Sequence, residues 1–188
     1  MDTVIKYVAE YLLFVMAGGF VVYWLAGENL AGKARLGVAA VVGLILTLVF
    51  IVVAGKLHSD PRPFVQNPAL HPLFPHARDN GFPSDHSAAA GLIAALVLWR
   101  SRAWGVVFAV AAVCVAAARV AAHVHHVQDV VAGLALGALA AAIGIWVAGI
   151  VMNKLRGRRL PVVGVLEPAG QDGQAPAKHA VQRESHRI

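Results

Sequence analysis

The sequence has little charge and a single cysteine. Only 14% of its 188 residues are charged, whereas a soluble globular domain carries about a quarter, and the mean hydropathy is +0.67. The one cysteine, Cys114, lies within an apolar run, which excludes an internal disulfide framework and a metal–thiolate site. A chain of this size cannot bury so much apolar surface in one soluble core. The composition therefore predicts an integral membrane protein.

Five apolar runs define the predicted architecture. Each approaches the ~20 residues that cross a bilayer as a helix, and together they cover roughly residues 7–26, 36–55, 84–99, 103–118 and 130–152. The third and fourth are short, as expected of helices that line a cavity. We predict an all-α, polytopic membrane helix bundle of about five transmembrane helices within residues 1–160. Residues 161–188, rich in Gly, Pro, Ala and Gln, are predicted to form a disordered cytoplasmic tail.

Basic residues at the ends of the runs indicate the orientation. If the spans alternate in direction, three basic groups fall on one side of the membrane: Lys33 and Arg35; Arg100 and Arg102; and Lys154, Arg156, Arg158 and Arg159. The positive-inside rule makes that side cytoplasmic, so residues 56–83 and 119–129 are predicted to lie outside. This distribution explains the net charge of +6 through topology and membrane lipids, and we expect no nucleic-acid partner.

The two predicted external loops nevertheless carry many ionisable residues. Together with His86 at the adjoining start of the third run, they hold four cations and seven of the nine histidines: Lys56, Arg62, Arg78, Arg119, His58, His71, His76, His86, His123, His125 and His126. Lys and Arg supply donors and positive charge for an oxyanion, and histidine supplies a proton or a lone pair near neutral pH. Ionisable residues held against membrane helices are costly and usually functional.

Two segments offer anion-binding groups. In the first, Lys56 ends the second run, and the prolines on either side of Arg62 restrict the backbone that aims its guanidinium. In the second, Ser84 is a predicted N-cap, so the helix that follows presents free amides to an anion, and His86 lies in its first turn. A lysine at a span end and a capping serine are also ordinary structural features.

A third segment pairs a histidine with a carboxylate. Arg119 precedes a histidine cluster in which His125 and Asp129 are four residues apart, so they can be neighbours on a helical turn. A carboxylate on one imidazole nitrogen orients the ring and leaves the other nitrogen free as a nucleophile or base. Asp129 could equally be the N-cap of the fifth span. Taken together, the three segments supply the groups that phosphoryl transfer through a covalent intermediate needs.

The three segments resemble the type 2 phosphatidic acid phosphatase (PAP2) superfamily, with its motifs Lys-x6-Arg-Pro, Pro-Ser-Gly-His and Ser-Arg-x5-His-x3-Asp. The third motif selects His125 among the clustered histidines. The resemblance implies that His125 attacks phosphorus, that Asp129 orients it, and that His86 protonates the leaving group and later activates water. It implies that the phosphoryl oxygens are held by Lys56, Arg62, Arg119, Ser84 and the backbone amide of Asp85, with neither a metal nor another cofactor.

Three positions depart from these motifs. Only five residues separate Lys56 from Arg62, which displaces Lys56 by about 100° on a helix. Asp85 stands in place of the motif glycine, and Ala118 in place of the first serine of the third motif. Pro-Ser-Asp-His instead resembles the undecaprenyl pyrophosphate phosphatase branch, of the bacitracin-resistance type, as do three segments before it: Arg62-Pro63-Phe64-Val65, Pro75-His76-Ala77 and Asn80-Gly81-Phe82. That resemblance implies hydrolysis of a polyprenyl diphosphate carrier on the outer face of the bacterial plasma membrane, in support of cell-wall synthesis.

Other interpretations stay open at this point. The same site could act on phosphatidic acid, phosphatidylglycerophosphate or another prenyl diphosphate, since a lipid tail contacts only apolar helix faces. A histidine-lined transporter would have polar residues throughout its spans, whereas here they cluster at one face of the membrane. A metal-binding protein would use His123, His125, His126 and Asp129, but their spacing is unlike that of a helical zinc site. Residues 64–82, with His71, His76 and Arg78, either contact the diphosphate or gate the site, or they simply form an ordered cap. The pattern carries no signal for an oligomeric state.

Overall fold

The helical prediction is confirmed by the structure, a computed structural model that describes residues 1–27 and 29–157. Six helices follow one another: α1 (Asp2–Gly27), α2 (Leu30–Leu57), α3 (Pro63–Gln66), α4 (Asp85–Arg100), α5 (Arg102–Ala121) and α6 (Val127–Gly157). The five long helices correspond to the five predicted spans, whereas the single-turn α3 was not predicted. The predicted tail, residues 161–188, lies outside the described residues.

Four of the helices are long and apolar enough to cross a membrane, namely α1, α2, α5 and residues Val127–Leu155 of α6. The chain is therefore a multi-pass membrane protein. The remaining long helix, α4, has 16 residues, about 24 Å at 1.5 Å per residue, and is too short to meet the same length criterion. It is the most enclosed helix, with eight buried residues.

Local sequence signals explain where the helices begin. Asn29 caps α2, its side-chain oxygen accepting from the Gly32 amide at 2.8 Å, and Ser84 caps α4 by accepting from Ser87. Ser101 alone joins α4 to α5. A Cβ on Gly105 would lie 2.3 Å from the Leu98 Cα, so only glycine permits such a tight turn between the two helices.

Small residues let α6 pack closely against α4 and α2. A Cβ on Gly133 would lie 2.5 Å from the Ser84 carbonyl oxygen, and one on Gly137 would lie 1.9 Å from that of Ala88. Gly144 is equally close to the backbone of α2. Such contacts are typical of membrane helix interfaces, where van der Waals packing replaces the hydrophobic driving force. They hold the start of α6 against the start of α4, so the residues of the third motif lie beside those of the second.

The connection between α2 and α4, residues 58–84, is anchored to the helix ends. Phe64 and Phe74 are buried in one cluster with residues of α1, α5 and the α5–α6 connection. At the other end of the bundle, the guanidinium groups of Arg35 and Arg100 lie over the Trp99 ring, 4.9 and 5.3 Å from its centre. The long connection therefore forms one end of the bundle, and these arginines mark the other.

Candidate active site

A cavity of about 280 Å³ is lined by polar residues from each of the three segments. It lies where the α2–α4 connection meets the start of α4, the end of α5 and the α5–α6 connection. Its ionisable lining consists of Arg62, His76, Asp79, Asp85, His86, Arg119 and His125. Ile51, Val52 and Gly55 of α2 complete one wall together with Asn80, Phe82 and Pro83.

His125 is held with one ring nitrogen against the protein backbone and the other among cations. Its Nδ1 lies 2.9 Å from the Gly81 carbonyl oxygen, which can only accept, so Nδ1 carries the hydrogen. Its Nε2 lies 3.3 Å from Arg62 Nη1 and 3.4 Å from Arg119 Nη2. Guanidinium groups can only donate, so Nε2 carries the lone pair. The geometry presents a neutral imidazole whose nucleophilic nitrogen lies between two arginines.

The surroundings of His125 also favour that neutral form. Burial lowers the pKa of the ring, Asp129 opposes this shift, and the positive charges of Arg119 and Arg62 lower the pKa further. The folded site therefore keeps His125 unprotonated at neutral pH. Activity should therefore be lost at acidic pH. Protonation removes the lone pair of His125 only as the pH falls through this lowered pKa.

Asp129 is brought beside His125 but has a second partner. Its Oδ2 lies 3.5 Å from His125 Nδ1 and accepts the backbone N–H of His126 at 2.8 Å. Because α6 begins at Val127, Asp129 is its third residue and not its N-cap, so the N-cap alternative was wrong. The bond to the His126 amide instead stabilises the first turn from within the helix. Its side chain is fully buried. The shorter hydrogen bond of His125 is the one to Gly81.

Gly81 is a site residue to which the sequence assigned no role, since it acts through its backbone carbonyl. Its amide donates to the Asp60 carbonyl oxygen at 2.8 Å, which fixes the peptide that orients His125. A Cβ at this position would lie 3.1 Å from the Asp60 carbonyl oxygen, 3.3 Å from Arg62 Cγ and 3.3 Å from Asp129 Oδ2. Glycine is therefore the residue that fits.

Replacing Gly81 by alanine should reduce kcat. The added methyl group displaces the carbonyl that orients His125, and misplacement of this order lowers a rate by about 10- to 100-fold. Gly18→Ala is the matched control, because a Cβ there meets nothing within 4 Å. Steady-state phosphate release measures both variants, and equal activities would contradict the role given to the Gly81 carbonyl.

Each arginine of the cavity is held by several contacts. Arg62 Nε donates to Asp79 Oδ1 at 2.7 Å, and its Nη1 donates to the Val124 carbonyl oxygen at 2.8 Å. Arg119 Nη2 lies 3.1 Å from His76 Nε2. The Nε of Arg119 is buried and has no hydrogen-bond partner among the described residues. A buried donor of this kind is costly unless a ligand satisfies it, which suits an oxyanion.

The sequence also did not single out the roles of His76 and Asp79, which lie in the long connection. Burial lowers the pKa of His76 to about 4, with contributions from Arg62 and Arg119, so its ring is neutral and accepts from Arg119. Residues 64–82 form part of the cavity wall through His76, Asp79, Asn80 and Phe82. The sequence had pointed to His76 only as one residue of a loop that could contact the diphosphate, and it gave no signal for Asp79.

The remaining predicted residues fall into two groups. Asp85 and His86 line the cavity at the start of α4, whereas Lys56 and Ser84 are not among its lining residues. Lys56 is exposed, and Gly55, one position earlier, lines the cavity in its place, as the shortened spacing to Arg62 suggested. Ser84 is fully buried, and its hydroxyl caps α4.

A group of possible metal ligands lies behind the cavity. Asp60, His126 and Asp129 each offer one atom, all within 4.8 Å of one another. This set differs from the one weighed from sequence, because the Nδ1 of His123 instead contacts the His71 carbonyl oxygen. Asp60 Oδ2 already accepts from Gln128 at 2.6 Å and lies 2.8 Å from His126 Nδ1. Asp60 and His126 therefore already contact each other, and Gln128 is a further partner of Asp60.

Comparison with known proteins relates this geometry to a family. Residues 36–152 match the profile of the PAP2 superfamily. The chain is 35% identical over 149 residues to the bacitracin transport permease protein BcrC of Bacillus licheniformis, covering 79% of this chain and 72% of the relative. It is 30% identical over 136 residues to the undecaprenyl-diphosphatase BcrC of Bacillus subtilis strain 168, covering 71% and 68%.

The chain is also similar to a third relative and to a solved structure. The putative undecaprenyl-diphosphatase YbjG of Escherichia coli K12 is 35% identical over 132 residues, covering 70% of this chain and 65% of the relative. The crystal structure of Aquifex aeolicus LpxE shares the fold with a TM-score of 0.65 at 20% identity, covering 77% of this chain and 85% of that one. The chain that builds this histidine and arginine cavity belongs to the PAP2 superfamily of phosphatases.

Proposed function

We propose that the protein hydrolyses undecaprenyl diphosphate to undecaprenyl phosphate and inorganic phosphate through a phosphohistidine intermediate. The observation that carries this proposal is the environment of His125. Its Nε2 is unprotonated, lies within 3.4 Å of both guanidinium groups, and belongs to a residue that lines the cavity. A nucleophile between two phosphate-binding groups is the arrangement that in-line phosphoryl transfer needs.

The proposed reaction has two displacements. His125 Nε2 attacks the terminal phosphorus, an N–P bond forms, and the P–O bond to the lipid phosphate breaks. His86, protonated while the anionic diphosphate is bound beside it, gives its proton to the leaving oxygen. A water molecule then attacks the phosphohistidine, His86 takes the proton from that water, and the N–P bond breaks to release phosphate. Arg62 and Arg119 stabilise the charge on the equatorial oxygens in both steps.

The choice of lipid rests on the relatives and on the shape of the cavity. Two relatives are named as undecaprenyl-diphosphatases, one of them putatively. One wall of the cavity consists of Ile51 and Val52, and Val52 is 55% exposed on a membrane-crossing helix. A diphosphate bound at His125 can therefore lead its polyprenyl chain out along α2 into the bilayer, so the substrate need not leave the membrane.

The proposed location of the site is the outer face of the bacterial plasma membrane. Arg35 and Arg100 lie at the end of the bundle away from the cavity, since Arg35 and Gly55 are separated by about 30 Å of helix. Placing the basic end in the cytoplasm satisfies the positive-inside rule. The cations of the cavity then lie outside, where they serve an anionic substrate rather than topology.

Phosphate release from purified protein in detergent tests the substrate. We expect a higher kcat/KM for undecaprenyl diphosphate than for phosphatidic acid or phosphatidylglycerophosphate, since a lipid phosphate is a better leaving group than an alkoxide. The matched His125→Ala protein should release phosphate from none of them. A preference for phosphatidic acid would retain the chemistry and overturn the substrate, and release that does not depend on His125 would overturn both.

A further inference from the structure

One ion pair of the cavity joins a buried cation to an exposed anion. Arg62 Nε and Asp79 Oδ1 are 2.7 Å apart, yet the arginine side chain is 8% exposed and that of the aspartate 60%. Both residues line the cavity. The arginine is therefore fixed inside the protein, whereas its partner approaches from the solvent side of the wall.

The backbone next to Asp79 is firmly attached. Asn80 Oδ1 accepts from the amides of Asp60 and Phe82, at 2.9 and 3.0 Å, and its Nδ2 donates to the carbonyl oxygens of Gly55 and His58. Four hydrogen bonds thus hold the residue that follows the aspartate. The Asp79 side chain can rotate away from Arg62 about its own χ angles, without movement of the loop.

Charge explains why the buried guanidinium of Arg62 is paired with a carboxylate. A buried guanidinium without an anion is strongly unfavourable, and Asp79 supplies the anion. The hydrogen bond from Arg62 holds the pKa of the Asp79 carboxyl below its usual range, so the carboxylate stays charged at neutral pH. A phosphoryl group that enters the cavity needs the same guanidinium, and two anions beside it repel each other.

We propose that Asp79 is a displaceable counter-ion that occupies Arg62 in the empty site and competes with phosphate for it. The proposal rests on the function proposed above, since it requires a phosphoryl group at Arg62. Its consequence is kinetic: the competing carboxylate weakens binding of the product phosphate and so favours its release. A residue that merely positioned Arg62 would have the opposite effect, because its removal would weaken phosphate binding.

Inhibition by inorganic phosphate distinguishes these roles. Asp79→Asn keeps the shape and one acceptor but removes the charge, and we expect the inhibition constant for phosphate to fall by about tenfold, the worth of a hydrogen bond to a charged group. Asp79→Glu, which restores the charge, should return the constant toward that of the unmodified protein. An inhibition constant that rises or stays the same in Asp79→Asn would overturn the proposal.

Two further variants test whether the change in phosphate inhibition is specific to Asp79 and whether it reflects binding alone. Asp85→Asn removes a carboxylate that lines the same cavity, but among the described residues the carboxylate bound to Arg62 is that of Asp79. An equal fall of the inhibition constant in both variants would therefore indicate a general effect of negative charge and overturn the specific role of Asp79. Calorimetric titration with phosphate on a His125→Asn background measures binding without turnover. Tighter binding when Asp79→Asn is added supports the proposal, and no binding in either protein would overturn the proposed function as well.

Discussion

Replacing His125 by asparagine should abolish turnover while the protein remains folded in the membrane. Asparagine can still donate a hydrogen bond toward the Gly81 carbonyl oxygen, but it has no nitrogen lone pair to place beside the arginines. Loss of the nucleophile in a covalent mechanism lowers kcat on the order of 10⁴-fold or more. Steady-state phosphate release from undecaprenyl diphosphate measures this effect, and elution as a single peak in detergent verifies the fold.

The same substitution at His123 is the matched control. This residue lies two positions away in the same connection and has a positive φ of 59°, which asparagine tolerates, and it is not among the lining residues of the cavity. His123→Asn should therefore retain most of the activity. The unmodified protein can also be mixed with substrate labelled in the terminal phosphate and quenched rapidly. This should trap an acid-labile phosphoryl group on the protein. Comparable turnover in both variants would rule out His125 as the nucleophile.

The bundle could be predicted from the sequence because the bilayer imposes a length and a composition on each span. All five predicted runs lie within the five long helices, apart from Ser84 at the start of the third, which is the cap of α4. Helix ends were less accurate, since capping and backbone bonding extend α2 and α6 beyond their apolar runs. The α4 helix was recognisable as a helix, but its enclosure depends on the glycines of α6, a tertiary effect.

Convergence of the site could also be predicted, because motif spacing places reactive side chains at helix ends on one side. Arg62, His86, Arg119 and His125 do line one cavity. Lys56 does not, and the reason was visible in the sequence: helical geometry turns a side chain by about 100° for each residue of displacement. Because the spacing to Arg62 is one residue shorter than in the motif, Lys56 is exposed and Gly55 lines the cavity.

Two kinds of contact escaped the sequence for physical reasons. The Gly81 carbonyl that orients His125 belongs to the backbone, so no residue type announces it. His76 and Asp79 lie in a connection without periodicity, and their partners Arg119 and Arg62 are 43 and 17 residues away. Such pairs depend on how the connection is anchored by Phe74 and Asn80, and only the folded chain brings them together.

Replacing Arg119 by glutamine should lower kcat/KM and also move its pH dependence. The guanidinium lies 3.4 Å from His125 Nε2 and has a buried Nε without a partner among the described residues, so it is placed to stabilise charge on the transferring phosphoryl group. Removal of an arginine that stabilises this transition state costs about 10³-fold in rate. Phosphate release across a range of pH measures both effects in one experiment.

The expected direction of the pH shift follows from the charges around His125. Burial is the main cause that lowers the pKa of this imidazole, and the positive charge of Arg119 lowers it further. Without that charge the protonated ring is less unfavourable, so its pKa rises. The acidic limb of kcat/KM should therefore move to higher pH in Arg119→Gln, because protonation of the nucleophile begins earlier as the pH falls.

Two arginine variants make the interpretation of this shift specific. Arg119→Lys keeps the charge but loses the planar fork of donors, so its rate should fall while the acidic limb stays in place. Arg78→Gln removes a cation from the same long connection, at an exposed position outside the cavity lining, and should alter neither the limb nor the rate by a comparable amount. An acidic limb that stays unchanged in Arg119→Gln would mean that this arginine does not act on His125, whatever its effect on substrate binding.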